Sequence, residues 1–419
     1  MSSKHIVIAT FGSLGDLHPY LALGIGLQAR GHRVTIATSP IYRPKVESEG
    51  IGYAHVRPDL SPDNTEMLRL VMDARKGSEH VIRHLVLPHL RESYDDLTHA
   101  AEGADLILTH PITYAGPLVA QKTGIRWASS VLAPISFLSD HDPSVLPPAP
   151  WLAKLYPLGL AGLINKLGKA AAKSWAEPIE ALRAELGLPR GANPIFEGQH
   201  SPSLVLALFS PLLAKPQPDW PPNTRVTGFA FYDRLEKTEG LPEEVARFLD
   251  SGPPPIVFTL GSSAVMTAGD FYRESAEAAR LLGRRAVLLI GTDPRNAPAA
   301  PLPEGVITAV YAPYSEIFPR AAAIVHQGGA GTTAQALRSG RPMLFVPFAH
   351  DQHDNAARVI RLRIARQVGR SEYRAGKVAR ELRLLLDAPE NAARAWEVGR
   401  KVRAENGVAA ACEALEGLL

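Results

Sequence analysis

Short apolar runs alternate with longer mixed stretches along the whole chain, and this alternation predicts its fold. Continuous apolar runs of four or five residues are typical of parallel strands that are buried on both faces. We predict strands at residues 6–10, 34–38, 105–109, 127–131, 204–208 and 226–229, and then at 256–260, 286–290, 306–310, 321–325 and 343–346. Most of them are such runs, whereas 127–131 and 226–229 also contain polar residues. Because helical stretches such as 20–30 and 332–337 separate them, we predict two doubly wound α/β domains, each a parallel sheet covered by helices.

The chain length and two irregular stretches set the predicted domain boundary. With 419 residues, the chain exceeds the usual size of one domain. Prolines cluster at 216–222, and a polar run covers 232–240. We therefore predict an N-terminal domain at 1–229, a linker at 230–240, a second domain at 241–391 and closing helices at 392–419.

Composition excludes several classes of protein. A formal net charge of +3 is too small to indicate binding to nucleic acid. The single cysteine, Cys412, excludes an intrachain disulfide and fits a reducing cytosol. No apolar run has the length of a membrane span, and the first residues do not form a signal-peptide pattern. We therefore expect a cytoplasmic globular protein.

The strongest candidate site is a glycine turn in the second half of the chain, between a predicted strand and a predicted helix. It contains His326, Gly328, Gly329, Gly331, Thr332 and Thr333, and Asp351 and Gln352 follow the next predicted strand. Free backbone N–H groups and the positive end of the helix dipole make such a turn a binding site for phosphate. Glycines let the anion approach the backbone, and the hydroxyl groups and the histidine ring can donate further hydrogen bonds. No Gly-Lys-Ser/Thr follows the glycines, so the turn is not a P-loop.

A second glycine turn follows the first predicted strand. Gly12 and Gly15 lack the spacing of a dinucleotide-binding fingerprint, which disfavours an oxidoreductase. Asp16 can accept a proton from a hydroxyl group as a general base, or it can act as the N-cap of the following helix. His18 is an alternative base, although a histidine beside a proline is more often structural.

The two turns resemble those of family-1 glycosyltransferases. The His326 turn, followed by Asp351 and Gln352, is similar to their donor-binding signature, and Gly-Ser-x-Gly-Asp at 12–16 resembles the N-terminal turn of sterol, glycopeptide and rhamnolipid glycosyltransferases. The resemblance covers essentially the whole chain, and extends in particular to the rhamnosyltransferases that build rhamnolipids. It implies the two-domain GT-B fold, with an N-terminal acceptor-binding domain facing a C-terminal donor-binding domain across a cleft, and a last helix that packs back on the first domain.

The same resemblance implies a hexosyltransferase reaction. A sugar, rhamnose or glucose, would pass with inversion from a nucleoside diphosphate sugar to a hydroxyl group of an apolar small molecule or lipid, with Asp16 as the base. His326, Thr332 and the helix N-terminus would hold the leaving diphosphate, and Asp351 and Gln352 would hold the sugar hydroxyls. The donor site would also include Ser262, Ser263, Tyr311, Ala312 and Pro313, with Tyr311 stacked on the base.

Ala334 bears on the choice of donor nucleoside. In relatives that use UDP-sugars, a glutamate at this position accepts hydrogen bonds from both ribose hydroxyls. Alanine cannot do so, and the neighbouring Gln335 points about 100° further round the helix. We therefore expect dTDP-sugars, with dTDP-rhamnose as the first candidate, to be preferred over UDP-glucose and other UDP-sugars.

The predicted acceptor site consists of apolar side chains. Met67 and Met72 share a helical face in a stretch, 63–101, that reads mostly as helix, and core packing is the alternative for them. The long stretch 134–198 contains Trp151 and is predicted to be a mobile wall of the acceptor site. Plain helical packing, or a peripheral contact with the inner face of the membrane, are the alternatives for this stretch.

The sequence also allows other interpretations. His350, Asp351, His353 and Asp354 could bind a metal ion, but they share one loop without a distant partner, so we expect neither a metal nor another cofactor. On the same fold the chain could be a sugar-nucleotide 2-epimerase, or a UDP-glucose-dependent glucosyltransferase of flavonoid- or sterol-like acceptors. A non-catalytic sugar-nucleotide-binding partner protein is the alternative from another class.

Overall fold

The computed structural model describes residues 3–60, 65–233 and 240–419, whose strands all pair in parallel. The strands are β1 (His5–Ala9), β2 (Arg33–Thr38), β3 (Gly52–His55), β4 (Leu106–Thr109), β5 (Arg126–Val131), β6 (Val205–Ala207), β7 (Thr224–Val226), β8 (Ile256–Thr259), β9 (Ala286–Leu289), β10 (Val306–Ala309), β11 (Ala323–His326), β12 (Met343–Phe345) and β13 (Ala365–Gln367). They form two sheets, one of seven strands and one of six.

Helices connect these strands. They are α1 (Leu14–Gln28), α2 (Arg43–Ser48), α3 (Thr65–Val71), α4 (Gly77–Glu79), α5 (Leu90–Ala100), α6 (Ala115–Thr123), α7 (Ala161–Ala171), α8 (Glu177–Glu185), α9 (Glu243–Asp250), α10 (Gly261–Ala264), α11 (Phe271–Leu282), α12 (Tyr314–Ile317), α13 (Ala330–Ser339), α14 (Gln352–Arg361), α15 (Ala375–Leu386), α16 (Pro389–Ala404) and α17 (Gly407–Glu416). A π-helix (His80–Val86) and several short 3-10 helices lie between them. None of the helices in the described ranges is both long enough and apolar enough to cross a bilayer.

The first compact unit, unit 1, consists of the described residues of 1–64, 76–232 and 405–419. Its sheet has the order β3-β2-β1-β4-β5-β6-β7. The strands are buried on both faces because helices cover both. Ile6 and Ile8 of β1 pack in a cluster with α1 and α17, whereas Val7 and Ala9 pack on the opposite side with α5 and α6. This two-sided burial explains why the strand reads as a continuous apolar run.

The last helix, α17, packs on α1 within unit 1. Cys412 is fully buried there, and Arg30 forms an ion pair of 2.7 Å with Glu416. Gly26 allows this close approach, because a Cβ at that position would lie 2.6 Å from a side-chain carbon of Val408. The C-terminal end of the chain therefore completes the covering of the N-terminal sheet.

The second compact unit, unit 2, consists of the described residues of 65–75 and 233–404. Its sheet has the order β10-β9-β8-β11-β12-β13, with a core built from the sheet and from helices that include α11 and α15. The segment 65–75 comes from the first half of the sequence, yet Met72 is buried in this core. A pattern of apolar residues shows that a helix face is buried but does not show against which sheet.

The structure confirms the predicted strands with small differences at their ends, except for the one predicted at 226–229: β7 runs over Thr224–Val226 and shares only Val226 with that prediction. The structure adds β3 and β13, which lie at sheet edges and are partly polar or exposed, so they do not read as apolar runs. It also starts α1 at Leu14 rather than near residue 20. The predicted start of the 63–101 helical stretch and residues 234–239 of the predicted linker lie outside the described residues.

Candidate active site

The sheet of unit 1 has a topological switch point between β1 and β4. The chain runs from β1 outward to β2 and β3, and then returns to the other side of β1 with β4. At such a point the loops after the two neighbouring strands diverge, and ligands of open α/β sheets bind in the crevice at the carboxyl ends of these strands. The turn after β1 leads to Asp16, and the residue directly after β4 is His110.

The Asp16 carboxylate is held at this edge by the turn itself. Its Oδ2 accepts hydrogen bonds from the Ser13 backbone N–H at 2.7 Å and from the Ser13 hydroxyl at 3.1 Å. Ser13 is the N-cap of α1, and Asp16 is the acidic partner in a capping box. The alternative that Asp16 is itself the N-cap is therefore wrong, because Asp16 lies three residues after the N-cap. Gly12, with φ of +130°, leaves room for the carboxylate, which a Cβ at that position would contact.

The second carboxylate oxygen of Asp16 faces His110. Its Oδ1 lies 3.5 Å from the Nε2 atom of His110, at the long end of hydrogen-bond distance. The Asp16 side chain is 32 % exposed, whereas the His110 side chain is 7 % exposed. Oδ2 is occupied by the capping box, so Oδ1 is the oxygen that can accept a proton from a ligand.

The surroundings keep Asp16 ionised at neutral pH. Burial raises the pKa of Asp16, but the hydrogen bond and charge interaction with His110 and the hydrogen bonds from Ser13 outweigh burial, so the pKa lies below its ordinary value. Since Nε2 of His110 points at a carboxylate, that nitrogen carries the proton. The His110 Nδ1 atom is buried and has no hydrogen-bond partner among the described residues.

His18, the alternative base, lies elsewhere on α1. Two residues along a helix correspond to a rotation of about 200°, so its side chain points away from that of Asp16. Its ring packs 4.9 Å from the ring of Tyr232, and its Nε2 atom is buried without a hydrogen-bond partner in the described part of the chain. Burial, and then the charge of Lys45, lower the pKa of His18 to about 4. This environment favours the structural interpretation of His18.

Unit 2 has its own switch point, between β8 and β11, and the predicted glycine turn lies there. The turn after β8 contains Gly261, and β11 ends at His326. Gly261 and Gly328 have φ angles of +65° and +98°, which favour glycine. Helix α13 begins after Gly329, which has no side chain to cap it, so the first backbone N–H groups of α13 are available to an anion.

His326 is a neutral, fully buried group at the end of β11. Burial lowers its pKa to about 3. Its Nδ1 atom accepts a hydrogen bond of 3.2 Å from the Gly328 backbone N–H, so the ring proton is on Nε2. Nε2 has no hydrogen-bond partner among the described residues. The predicted N–H donor is thus present, but the ring itself carries no positive charge.

Asp351 and Gln352 are fixed by their own loop. The Gln352 side-chain oxygen accepts from the backbone N–H groups of Phe348 and Ala349, at 2.8 and 3.2 Å, so its NH₂ group is what remains for a ligand. Asp351 accepts a hydrogen bond of 2.7 Å from the Asn355 side chain, which also donates to the Gly328 carbonyl at 2.9 Å. Asn355, whose role the sequence did not indicate, therefore connects the Asp351 loop to the glycine turn.

The remaining predicted donor residues lie at the same edge of the sheet of unit 2. Ser262 is exposed and Ser263 half-buried in α10, directly after β8. Tyr311 is 52 % exposed in the loop after β10, whereas Ala312 and Pro313 are buried. An exposed ring beside buried neighbours is available for stacking, which is what the predicted role of Tyr311 requires.

The predicted acceptor residues do not come together within one unit. Met67 and Met72 both belong to unit 2, and the burial of Met72 in its core favours the core-packing alternative for that residue. Trp151 belongs to unit 1, where it is 63 % exposed. The prediction placed all three in the N-terminal domain, and the location of the two methionines in unit 2 corrects it.

The structure shows no grouping of three or more potential metal ligands within the described ranges. Within 350–354, Asp354 is buried and forms an ion pair of 2.7 Å with Arg358. Asp351 is hydrogen-bonded to Asn355. These carboxylates thus have partners within α14 itself.

Two family models match separate parts of the chain. Residues 285–415 match the C-terminal domain of erythromycin biosynthesis protein CIII-like proteins. Residues 6–87 match the N-terminal domain of glycosyltransferase family 28. The first match covers the glycine turn of unit 2, and the second covers the Asp16 turn of unit 1.

Similar proteins agree with these matches. The chain is 34% identical to the O-mycaminosyltylonolide 6-deoxyallosyltransferase of Streptomyces fradiae, over 98% of this chain and 96% of that protein. It is 27% identical to a sterol 3-beta-glucosyltransferase of Yarrowia lipolytica over 99% of this chain, but it spans only 29% of that longer protein.

Solved structures show the same fold. The glycotransferase of kitacinnamycin is 24% identical, with a TM-score of 0.73 and full coverage of both chains. The glycosyltransferase VinC, solved in complex with DTDP, is 19% identical, with a TM-score of 0.69 and 99% coverage of both chains. The predicted GT-B fold is confirmed, and the identity to the Streptomyces enzyme over nearly the whole length of both proteins shows that the chain belongs to the family-1-like bacterial glycosyltransferases of the natural-product type.

Proposed function

We propose that this glycosyltransferase moves a sugar, with inversion, from a dTDP-sugar to a hydroxyl group of an apolar natural product or lipid. Rhamnose is the first candidate sugar and glucose the second. The observation that carries the proposal is the Asp16–His110 pair at the switch point of unit 1, where one carboxylate oxygen is tied to the backbone and the other faces an imidazole and remains partly exposed.

The proposed base is Oδ1 of Asp16. As the acceptor oxygen attacks the anomeric carbon, its proton passes to Oδ1, and the new carbon–oxygen bond forms. The bond from the anomeric carbon to the diphosphate breaks on the opposite side, and the diphosphate leaves with the electron pair, which inverts that carbon. His110 stabilises the carboxylate through its Nε2–H and keeps it oriented, so it acts as a positioning residue.

The proposed leaving-group site is the N-terminal end of α13. Its first N–H groups and the helix dipole favour the charge that develops on the diphosphate. The Nε2–H group of His326 would add one hydrogen bond, which is strong because its acceptor is ionised. Asp351 and the NH₂ group of Gln352 would hold hydroxyl groups of the sugar, with Asn355 fixing the position of Asp351.

The proposed preference for deoxythymidine rests on two neighbouring positions of α13. Ala334 offers no acceptor for a ribose hydroxyl. The side chain of Gln335 is already engaged, since it donates to Asp233 at 3.2 Å and accepts from Arg338 at 2.9 Å. The DTDP complex of VinC supports a deoxythymidine donor, and the name of the Streptomyces relative supports a 6-deoxy sugar.

Competition between donors tests this function. The purified protein is incubated with a panel of apolar hydroxyl-bearing acceptors and with dTDP-rhamnose, dTDP-glucose, UDP-rhamnose or UDP-glucose, and products are identified by mass spectrometry. We expect transfer from dTDP donors with a higher kcat/KM than from UDP donors of the same sugar. If both UDP donors win by about tenfold or more, the nucleoside argument is wrong, because a lost ribose hydrogen bond is worth about 1 kcal/mol.

A second candidate is a UDP-glucose-dependent glucosyltransferase of sterol-like acceptors, which the Yarrowia relative favours. The same donor panel separates this candidate from the first, since the second candidate predicts transfer from UDP-glucose to a sterol.

We further propose that the reaction needs no metal ion, so that turnover is unchanged in EDTA. A cytoplasmic location remains part of the proposal, supported by the buried free thiol of Cys412.

A further inference from the structure

Large exposed apolar side chains are concentrated in one short stretch of unit 1. Trp151, Leu158, Leu163 and Leu167 are exposed by 63, 70, 55 and 61 %. They lie within 17 residues of sequence and include the three most exposed large apolar side chains in the described part of the chain. Single exposed apolar residues are normal on a protein surface, but several of them in one short segment point to an interaction site.

The stretch carries positive charge alongside these apolar groups. Between residues 143 and 176 there are four lysines and no aspartate or glutamate. Lys169 forms an ion pair of 2.6 Å with Glu197. Lys154, Lys166 and Lys173 are exposed and have no ion pair within the described ranges. The surface therefore combines apolar side chains with three lysines that are not neutralised.

The local structure presents these groups outward. One side of α7 is anchored, because Ile164 is buried and the Asn165 side chain donates to the Leu138 carbonyl at 2.9 Å and to Asp140 Oδ1 at 2.7 Å. Leu163 and Leu167 are four residues apart, so they lie on one face of α7, on the side opposite Asn165. Trp151 and Leu158 are on the 3-10 helix Pro150–Leu158, which packs against α7.

We infer that this surface, the exposed face of 150–173, docks on an anionic lipid bilayer. Leucines and a tryptophan enter the boundary between headgroups and acyl chains, and lysines attract anionic headgroups, which is the combination found in interfacial helices. The positive charge favours a lipid surface over a second copy of the same positive face. A docked enzyme could take an apolar acceptor directly from the membrane. This consequence, unlike the docking itself, rests on the proposed function.

Vesicle flotation tests the docking directly, without any transfer reaction. The full chain is mixed with vesicles of phosphatidylcholine alone, or of phosphatidylcholine with phosphatidylglycerol, at about 0.1 M and about 0.5 M salt, because high salt screens the charges. We expect binding to the phosphatidylglycerol vesicles that weakens at high salt. Equal binding to both kinds of vesicle, or none to either, would overturn the proposal.

Matched variants locate the surface. Leu163→Gln with Leu167→Gln keeps helix-forming residues and is expected to weaken vesicle binding by at least about tenfold. Leu281→Gln with Leu384→Gln changes two exposed leucines of unit 2 and is expected to have no effect. Lys154→Gln, Lys166→Gln and Lys173→Gln together should weaken binding by roughly a hundredfold, at about fivefold for each basic residue near the surface.

Other occupants give different results. If a second copy covers the surface, the leucine variant will change the mass measured by light scattering while the wild type does not bind vesicles. If the surface only lines the acceptor site, the leucine variant will change KM for the acceptor without any wild-type vesicle binding. Either result contradicts membrane docking. Failure of glycosyl transfer with intact vesicle binding would instead contradict the proposed function.

Discussion

Replacement of His110 tests the pairing at the switch point of unit 1. In the wild type, burial raises the pKa of Asp16, but His110 is the leading cause that lowers it. Removing the imidazole leaves burial less opposed, so the pKa of Asp16 must rise. Because the base works as a carboxylate, activity is lost as the pH falls through this pKa. The acid limb of the pH–rate profile should therefore move to higher pH in His110→Phe.

The size of the effect on kcat follows from the orientation that His110 gives to Asp16. The imidazole stabilises the ionised carboxylate rather than the protonated one, so its removal raises the pKa of Asp16 and also frees the side chain to turn away from the acceptor. We expect kcat above the acid limb to fall about ten- to a hundredfold, because a catalytic group misplaced by about 1 Å can cost about 10²-fold. His110→Gln retains an N–H donor, so it should fall between the wild type and His110→Phe.

The assay is kcat/KM for one donor and one acceptor between about pH 4 and pH 9, a range set by the ordinary pKa values of carboxylates and histidine. Ser13→Ala is the comparison variant, because it removes the N-cap hydroxyl of α1, which also donates to Asp16 at 3.1 Å, but leaves the Ser13 N–H group and His110 in place. It should cost about 0.5–2 kcal/mol of stability and move the acid limb to higher pH by less than His110→Phe does, because His110 is the larger cause of the lowered pKa of Asp16. A His110→Phe profile that superimposes on that of the wild type would show that His110 does not lower the pKa of Asp16.

Three further predictions concern other buried groups. His326→Ala should weaken binding of free dTDP by about tenfold or more in calorimetry, as one hydrogen bond to an ionised phosphate is worth about 1.5–3 kcal/mol, and unchanged affinity would make His326 only a packed residue. Ala334→Glu should raise the ratio of kcat/KM for UDP-sugars to that for dTDP-sugars by about fivefold, or about 1 kcal/mol. The uncharged control Ala334→Gln should raise this ratio less. An unchanged ratio would mean that residue 334 does not contact the ribose. Burial lowers the pKa values of His18, His200 and His326 to about 4, 4 and 3. These histidines therefore take up protons at a higher pH in the unfolded chain than in the folded chain, so the free energy of unfolding should fall as the pH drops from about 6.5 to about 4. A urea midpoint that does not change between pH 7 and pH 5 would contradict this.

The features that could be predicted from the sequence are those that produce a pattern of residue types within a short stretch of the chain. Strands buried on both faces read as apolar runs, and Gly328 of the donor turn stands where a positive φ angle favours glycine. His110 has no such pattern, because a single histidine after a strand is not a motif. The switch-point rule could have identified it, since it follows β4, the strand that returns beside β1.

Long-range packing could not be predicted in the same way. The apolar face of the helix around Met72 indicates burial, but only the structure shows that the core is that of unit 2. Likewise, the length and composition of 134–198 indicate a long segment outside the sheet, but they do not show which of its apolar side chains remain exposed. Exposure depends on how Asn165 and Ile164 anchor α7, which is a tertiary contact.

The most direct test of the central claim is a single-turnover measurement on Asp16→Asn with saturating donor. Asparagine can still accept the Ser13 N–H bond of the capping box, so the fold should be retained, but it cannot take up the acceptor proton at neutral pH. We expect a rate at least about 10²-fold lower than that of the wild type, with unchanged affinity for dTDP by calorimetry. A near wild-type rate with unchanged dTDP affinity would contradict the assignment of Asp16 as the base.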